Sequence, residues 1–216
     1  ASNAVVVDPE VDLTLLGPLG CGIQTGSGTV LNRLKPVVGE SLVVFGCGAV
    51  GLSAIMAAKL TGCSQIIAVD IHASRLALAG ELGATHQING KEQDAVAVIK
   101  QITGKGAHYA VETTGVSAIV LQAVHAVKPL GTVAIVGFTG DITLNVQNDL
   151  MAEGKSLVGV IEGDAVPALF IPLLVQLYKQ GKFPIDKLIA RYPLADINQA
   201  FADSASGKVI KPVVVM

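Results

Sequence analysis

The chain has 216 residues, of which 51% are hydrophobic, 15% charged and 4% aromatic, with 24 glycines, no tryptophan and a mean hydropathy of +0.60. That composition excludes a disordered chain and suits one generous domain, or one domain with extra pieces. Fifteen basic residues against seventeen acidic ones leave a net charge of -2 with no run of like charge, which argues against nucleic acid and against an anionic membrane as partner.

In chain order, the first twenty or so residues stand outside any periodic pattern, with Pro18 set among glycines. Ala1 to Val7 has neither a basic region nor a cleavage signal, and Cys21, Cys47 and Cys63 are an odd set without paired spacing. Together these predict no disulfide framework and a reducing, cytoplasmic setting. Ser41 to Ala58 is an uncharged stretch of eighteen residues, long enough to raise the question of a membrane span. Gly46, Gly48 and Gly51 divide it, however. Leu42 to Phe45 is a β-branched and aromatic run of strand type, whereas Leu52 to Leu60 is built from helix formers, so strand, glycine turn and helix is the better reading.

The alternation then continues. Gln65 to Val69 reads as a second strand ending at Asp70, Ala73 to Leu82 as a helix closed by Gly83, and His86 to Ile88 as a third strand. A helix over Asp94 to Ile102 stops before Gly104, and Ala107 to Val111 is the fourth strand. Ser117 to Val127 is a helix stopped by Pro129 and Gly131, Thr132 to Val136 the fifth strand and Leu157 to Ile161 the sixth. Strand and helix in turn, with strands apolar on both faces, predict an α/β fold, a doubly wound parallel sheet of about six strands covered by helices on both sides. Beyond Asp164 the units end: Leu169 to Tyr178 is an amphipathic helix, Pro184 to Leu194 looks irregular, Asp196 to Ala202 is a short helix and Val209 to Val215 a terminal strand. The expected divisions are 1–22, 23–163 and 164–216.

Gly46-Cys47-Gly48-Ala49-Val50-Gly51 is a G-x-G-x-x-G between strand and helix. In such a turn the first glycine permits the bend, the second lets backbone approach a pyrophosphate and the third lets helix and strand pack closely, while the following helix offers unpaired N–H groups. Asp70, nineteen residues after Gly51 at a strand end, adds a carboxylate that accepts ribose hydroxyls and repels a 2'-phosphate. The pair of signals favours NAD over NADP, although Arg75 nearby tolerates a phosphate; the bland alternative is a solvated acid capping the next helix.

Gly20-Cys21-Gly22-Ile23-Gln24-Thr25-Gly26, the glycine turn, Ala68-Val69-Asp70, Glu112-Thr113-Thr114-Gly115, Val136-Gly137-Phe138 and Gly207-Lys208-Val209-Ile210-Lys211 together resemble the zinc-dependent medium-chain alcohol dehydrogenases, most of all the aryl-alcohol (benzyl alcohol) dehydrogenases. The likeness runs from about Leu15 to the C-terminus. It implies that the family's N-terminal catalytic domain has no counterpart here, and that residues 164–216 belong with that domain. Carried over by position, Cys21 matches a ligand of the catalytic zinc, Thr25 a catalytic-site residue packed against the nicotinamide, and Val136, Gly137 and Phe138 the segment that meets its carboxamide. Gly46, Gly48, Ala49, Val50, Gly51, Asp70, Ile71 and Arg75 match the dinucleotide turn and the adenosine ribose site, Thr113 and Thr114 lie by the riboses, and Lys211 matches a cation at the pyrophosphate.

The implied reaction is NAD-dependent oxidation of a small primary, aromatic alcohol, with zinc as Lewis acid, in the intact enzyme. This chain alone is expected to bind NAD without turnover. The resemblance also implies a homodimer or homotetramer through the sixth strand. Two alternatives stand beside it: a zinc-free quinone reductase, against which Cys21 and Asp70 speak, and a non-enzymatic NAD-binding or dimerisation module. His72, His86, His108, His125, Cys47 and Cys63 receive no catalytic role. The surplus of apolar residues predicts exposed apolar patches on the tail.

Overall fold

The structure, a computed structural model, describes residues 4–216, so the first three residues of the expected leaderless start lie outside the described residues. Strands β1 (Ser41–Phe45), β2 (Gln65–Asp70), β3 (His86–Asn89), β4 (Ala107–Glu112), β5 (Val127–Ile135) and β6 (Ser156–Gly159) form one parallel sheet in the order β3-β2-β1-β4-β5-β6. The order reverses between β1 and β4, and a crevice therefore opens at the carboxyl ends of those two strands, where sheets of this kind take ligands. The expected doubly wound sheet of six strands is the observed one.

Every residue of β1 is buried because both of its faces are covered. Leu42 and Val44 enter a core with Leu52, Ile55 and Met56 of helix α3 (Ala49–Thr61). Leu76 of α4 (Ala73–Leu82) and Leu174 of α7 (Pro167–Lys179) join the same core. Val43 and Phe45 enter a second core with Ala95 and Ile99 of α5 (Ala95–Thr103) and Ala123 and Val124 of α6 (Ser117–Ala126). Alternate side chains of one strand thus hold two helical layers, which is why its apolar run is unbroken. The uncharged stretch from Ser41 to Ala58 is strand, turn and helix, and among the described residues no helix is long and apolar enough to cross a membrane.

Three elements depart from expectation. Before the sheet, α1 (Leu13–Leu16) is followed by α2 (Gly22–Gly28), a helix that three glycines had hidden. Its glycines are needed for close approach: a Cβ on Gly26 would collide with the carbonyl of Val50 in α3. The fifth strand begins at Val127 and not at Thr132, since α6 stops at Ala126 and Val127 is already extended and buried. Between the pairs Ala107–Val127 and Tyr109–Thr132 the partner strand advances two residues while β5 advances five, so Lys128 to Gly131 form a bulge around Pro129. Finally, Pro184 to Leu194 is not irregular throughout. It contains β7 (Ile189–Pro193), which pairs in parallel with β8 (Lys211–Val215) across helix α8 (Ile197–Ala205).

The turn that leads into β8 is organised by Asp203, a buried residue of α8. Its carboxylate accepts from Tyr192 Oη at 2.7 Å, Gln199 Nε2 at 2.7 Å and Lys208 Nζ at 3.0 Å. The Tyr192 bond, with those of Lys208 and Gln199, holds the Asp203 carboxyl below the usual carboxylate range. Its carbonyl takes the N–H groups of Lys208 and Val209. On the outer faces of α7 and α8, Leu169, Leu173 and Phe201 are exposed, the apolar surface expected of the tail.

Candidate functional site

At the carboxyl end of β1 the chain bends through Gly46, whose φ of +92° lies in the region glycine alone enters freely. A Cβ there would also lie 2.6 Å from Thr113 Oγ1 and 2.9 Å from Thr114 Cγ2. Gly51 sits so close beneath the turn that a Cβ would collide with the Gly46 carbonyl. Gly48 faces open space and precedes the first turn of α3, whose N-cap makes no side-chain hydrogen bond. Three glycines therefore serve three purposes: a bend, an open approach to free helix N–H groups, and helix packing on the strand.

Asp70 ends β2 beside this turn and is buried. Its Oδ2 accepts the Cys47 N–H at 2.6 Å, and its Oδ1 the N–H groups of Ile71 at 2.7 Å and His72 at 2.9 Å. The carboxylate is thus fixed entirely by main-chain donors, one of them inside the glycine turn. On the opposite strand end Glu112 is fully buried and accepts from Thr114 N–H at 2.7 Å, from the Thr114 hydroxyl and from Gly115 N–H at 3.2 Å. Thr113 Oγ1 donates to the Phe45 carbonyl at 2.8 Å, with the Gly46 carbonyl at 3.1 Å. Glu112 received no role from the sequence, although its place before Thr113-Thr114-Gly115 at a strand end was the available signal.

A cavity of about 720 Å³ lies against these groups. Its lining includes Cys21, Gly46, Gly48, Ala49, Val50, Asp70, Ile71, Arg75, Thr113, Thr114 and Lys211, eleven of the sixteen residues singled out from the sequence. Gly51 lies beneath the turn, and Thr25, Val136, Gly137 and Phe138 are not on this lining, Phe138 being fully exposed. The structure adds Gly22, Phe45, Val69, His72, Gly90, Val116, Ile119 and Gln122 to the wall. Arg75, on the first turn of α4, keeps its Nε buried without a hydrogen-bond partner among the described residues. Cys47 is buried, and burial first, with the Asp70 carboxylate second, pushes its thiol far above the ordinary range, so it is not a nucleophile.

The elongated cleft, the glycine cradle that a Cβ would fill and the cation at Lys211 fit a dinucleotide. Zinc is a different matter. Cys21 is exposed on the cleft wall, and among the described residues no three His, Cys, Asp or Glu side chains are gathered where a metal would be held. These residues alone do not make a tetrahedral metal site. All three cysteines are free.

Residues 49–179, well over half of the chain, match the sequence profile of the zinc-binding dehydrogenases. The chain belongs to the zinc-binding dehydrogenase family. Within that family it is 43% identical over 219 residues to the geraniol dehydrogenase of Castellaniella defragrans, an alignment covering 99% of this chain and 58% of that protein. The benzyl alcohol dehydrogenase of Acinetobacter calcoaceticus superposes with a TM-score of 0.96 at 51% identity, over 99% of this chain and 59% of the other. An alcohol dehydrogenase zinc-binding domain protein from Burkholderia ambifaria gives a TM-score of 0.96 at 52% identity, over 100% and 59%. This zinc-binding dehydrogenase chain thus spans somewhat under three-fifths of the relatives it matches.

Proposed function

We propose that the cleft holds NAD and that the chain is the cofactor-binding part of an alcohol dehydrogenase that oxidises a primary, aromatic alcohol to the aldehyde. One observation carries the reading: the main chain of the glycine turn and the carboxylate of Asp70 are joined by the Cys47 N–H bond, on the wall of one cleft that also holds Lys211 and Arg75. When bound, NAD supplies the hydride acceptor. The protein supplies place and charge. The N–H groups opening α3 and the Lys211 ammonium face the pyrophosphate, the remaining acceptor capacity of Asp70 takes a ribose hydroxyl, and Ile71, Arg75, Thr113 and Thr114 flank the sugars. Thr25 and the Val136-Gly137-Phe138 segment are assigned to the nicotinamide. Residues 23–163 would be the cofactor domain, with 1–22 and 164–216 belonging to the catalytic part.

Cys21 is proposed as a single zinc donor, the others coming from residues not described here; no chemistry is derived through the metal. A cytoplasmic setting belongs to the same reading, as does a homodimer or homotetramer through β6, an edge of the sheet whose outer main-chain groups are open to another strand. Light scattering that reports a monomer at micromolar concentration would count against that assembly.

Titration of the chain with NADH and NADPH, followed by nucleotide fluorescence, tests the central claim. NADH should bind saturably and NADPH at least about tenfold more weakly, because Asp70 repels the 2'-phosphate. Asp70→Asn should narrow the gap. Absence of NADH binding, or equal affinity for the two, overturns the reading.

A further inference from the structure

Between β6 and α7 the backbone passes through three successive left-handed residues, Glu162 with φ +50°, Gly163 with φ +68° and Asp164 with φ +48°. Glycine enters this region without penalty, whereas Glu162 and Asp164 are strained in it, and such strain persists only where the surroundings over-determine it. Here each residue is tied to α2 or to the Thr29–Leu34 turns that follow it. Gly163 is buried in a seat where a Cβ would lie 2.7 Å from the Gly28 Cα and 2.9 Å from the Thr25 carbonyl. Its carbonyl accepts from Asn32 Nδ2 at 3.0 Å, and Arg33 pairs with Asp164 at 3.4 Å.

Glu162 does something different from its neighbours. Its Oε2 accepts from Gln24 Nε2 at 2.9 Å and from Thr25 Oγ1 at 3.3 Å. The other amide hydrogen of Gln24 goes to the Gly20 carbonyl at 3.1 Å, so that side chain cannot be turned around. Thr25 follows Cys21 and Gly22 by one helical turn, and those two line the cleft. Donation to Glu162 commits the only hydroxyl hydrogen of Thr25 and sets its rotamer. The backbone turn itself does not need this carboxylate: a glycine at 162 would follow the same path with less strain. What the strained glutamate adds is the grip on Gln24 and Thr25.

We infer that Glu162 is a positioning residue for the nicotinamide half of the dinucleotide, acting through Thr25 and Gln24 without touching the cofactor. The inference rests on the dinucleotide reading above. It is tested on the full chain by measuring the affinities of NADH and of ADP-ribose, which lacks the nicotinamide, for the unaltered protein and for Glu162→Gly, Glu162→Ala and Glu162→Gln, together with their melting temperatures. The unaltered protein should prefer NADH. Glu162→Gly and Glu162→Ala should weaken NADH about tenfold, the scale of losing hydrogen bonds to a charged acceptor, while ADP-ribose stays within about twofold. Glu162→Gln, which keeps an acceptor oxygen, should retain most of the NADH affinity. Glu162→Gly should melt no lower than the unaltered protein, so binding and stability move apart, which a merely structural tie would not produce. An unchanged ratio of NADH to ADP-ribose affinity in the variants, or a parallel fall of both, overturns the inference alone. If the unaltered protein binds neither ligand, the dinucleotide reading fails and this inference falls with it.

Discussion

Asp70 and Glu162 are two carboxylates at the carboxyl edge of one sheet, held by opposite means. Asp70 is buried and takes three N–H groups, all from main chain, while Glu162 is exposed as a residue and takes two donors, both from side chains. A carboxylate fixed by backbone amides moves only if the backbone moves, so its end of the cleft is as rigid as the β1 turn. A carboxylate that grips side chains can be altered, or released, by one substitution on either partner. The two ends of the cleft therefore differ in how easily they can be retuned, although both rest on the same strands.

The largest expected effect breaks the rigid end. Gly51→Ala places a methyl group into the Gly46 carbonyl, and the turn can yield only by shifting the Cys47 N–H away from Asp70. Overpacking of this kind costs about 1–3 kcal/mol, which for a chain of this size lowers the melting midpoint by about 3–10 °C. Calorimetry should show that loss together with loss of measurable NADH binding in fluorescence titration, and a variant that binds normally would show that the turn is softer than its packing implies. The exchanges at Glu162 come next, since they should touch one ligand and leave stability intact.

The smallest effect concerns acid. The carboxyl of Asp203 is held below its ordinary value of about 3.8, so its contribution to stability is complete above about pH 4 and is lost as pH falls through the lower folded-state value. Melting curves between neutral pH and pH 2 should decline on the acid side, and Asp203→Asn should flatten that limb while leaving the neutral midpoint lower. Asp8, Asp12, Asp149 and Glu153, each lowered first by a side-chain hydrogen bond, add to the decline and set its remainder in the variant. An acid limb identical in both proteins would mean that the Tyr192, Gln199 and Lys208 bonds do not persist in solution.

What could be read in advance follows the range of the forces involved. Helix α4 was legible from Ala73 to Leu82 because its stop is local: Gly83, with φ +132°, takes the place any other residue would resist. Asp70 was legible because strand end and turn stand a fixed number of residues apart in this fold. Helix α2 was not, since its glycines lower helix propensity and the reason for them lies far along the chain, at Val50 for Gly26 and at Gly163 for Gly28. β7 was hidden likewise, because its partner β8 is remote and its own run carries Arg191 and Pro193. Glu162 left no trace: nothing about an Ile-Glu-Gly-Asp run announces a left-handed backbone, and its partners Gln24 and Thr25 are well over a hundred residues away. The cleft wall contains most residues named from the sequence, whereas the nicotinamide end depends on such distant contacts.

The hydrogen bond from Cys47 to Asp70 leaves the thiol idle, and that shapes what variation the position admits. Because the donor is the peptide N–H, the tie is indifferent to the identity of residue 47 with a single exception, proline, which has no N–H to give. The side chain is wholly enclosed, which adds a limit on bulk. Small residues such as alanine, serine or valine should therefore be interchangeable there, removing an oxidisable group from the heart of the molecule while leaving the anchoring of Asp70 as it is.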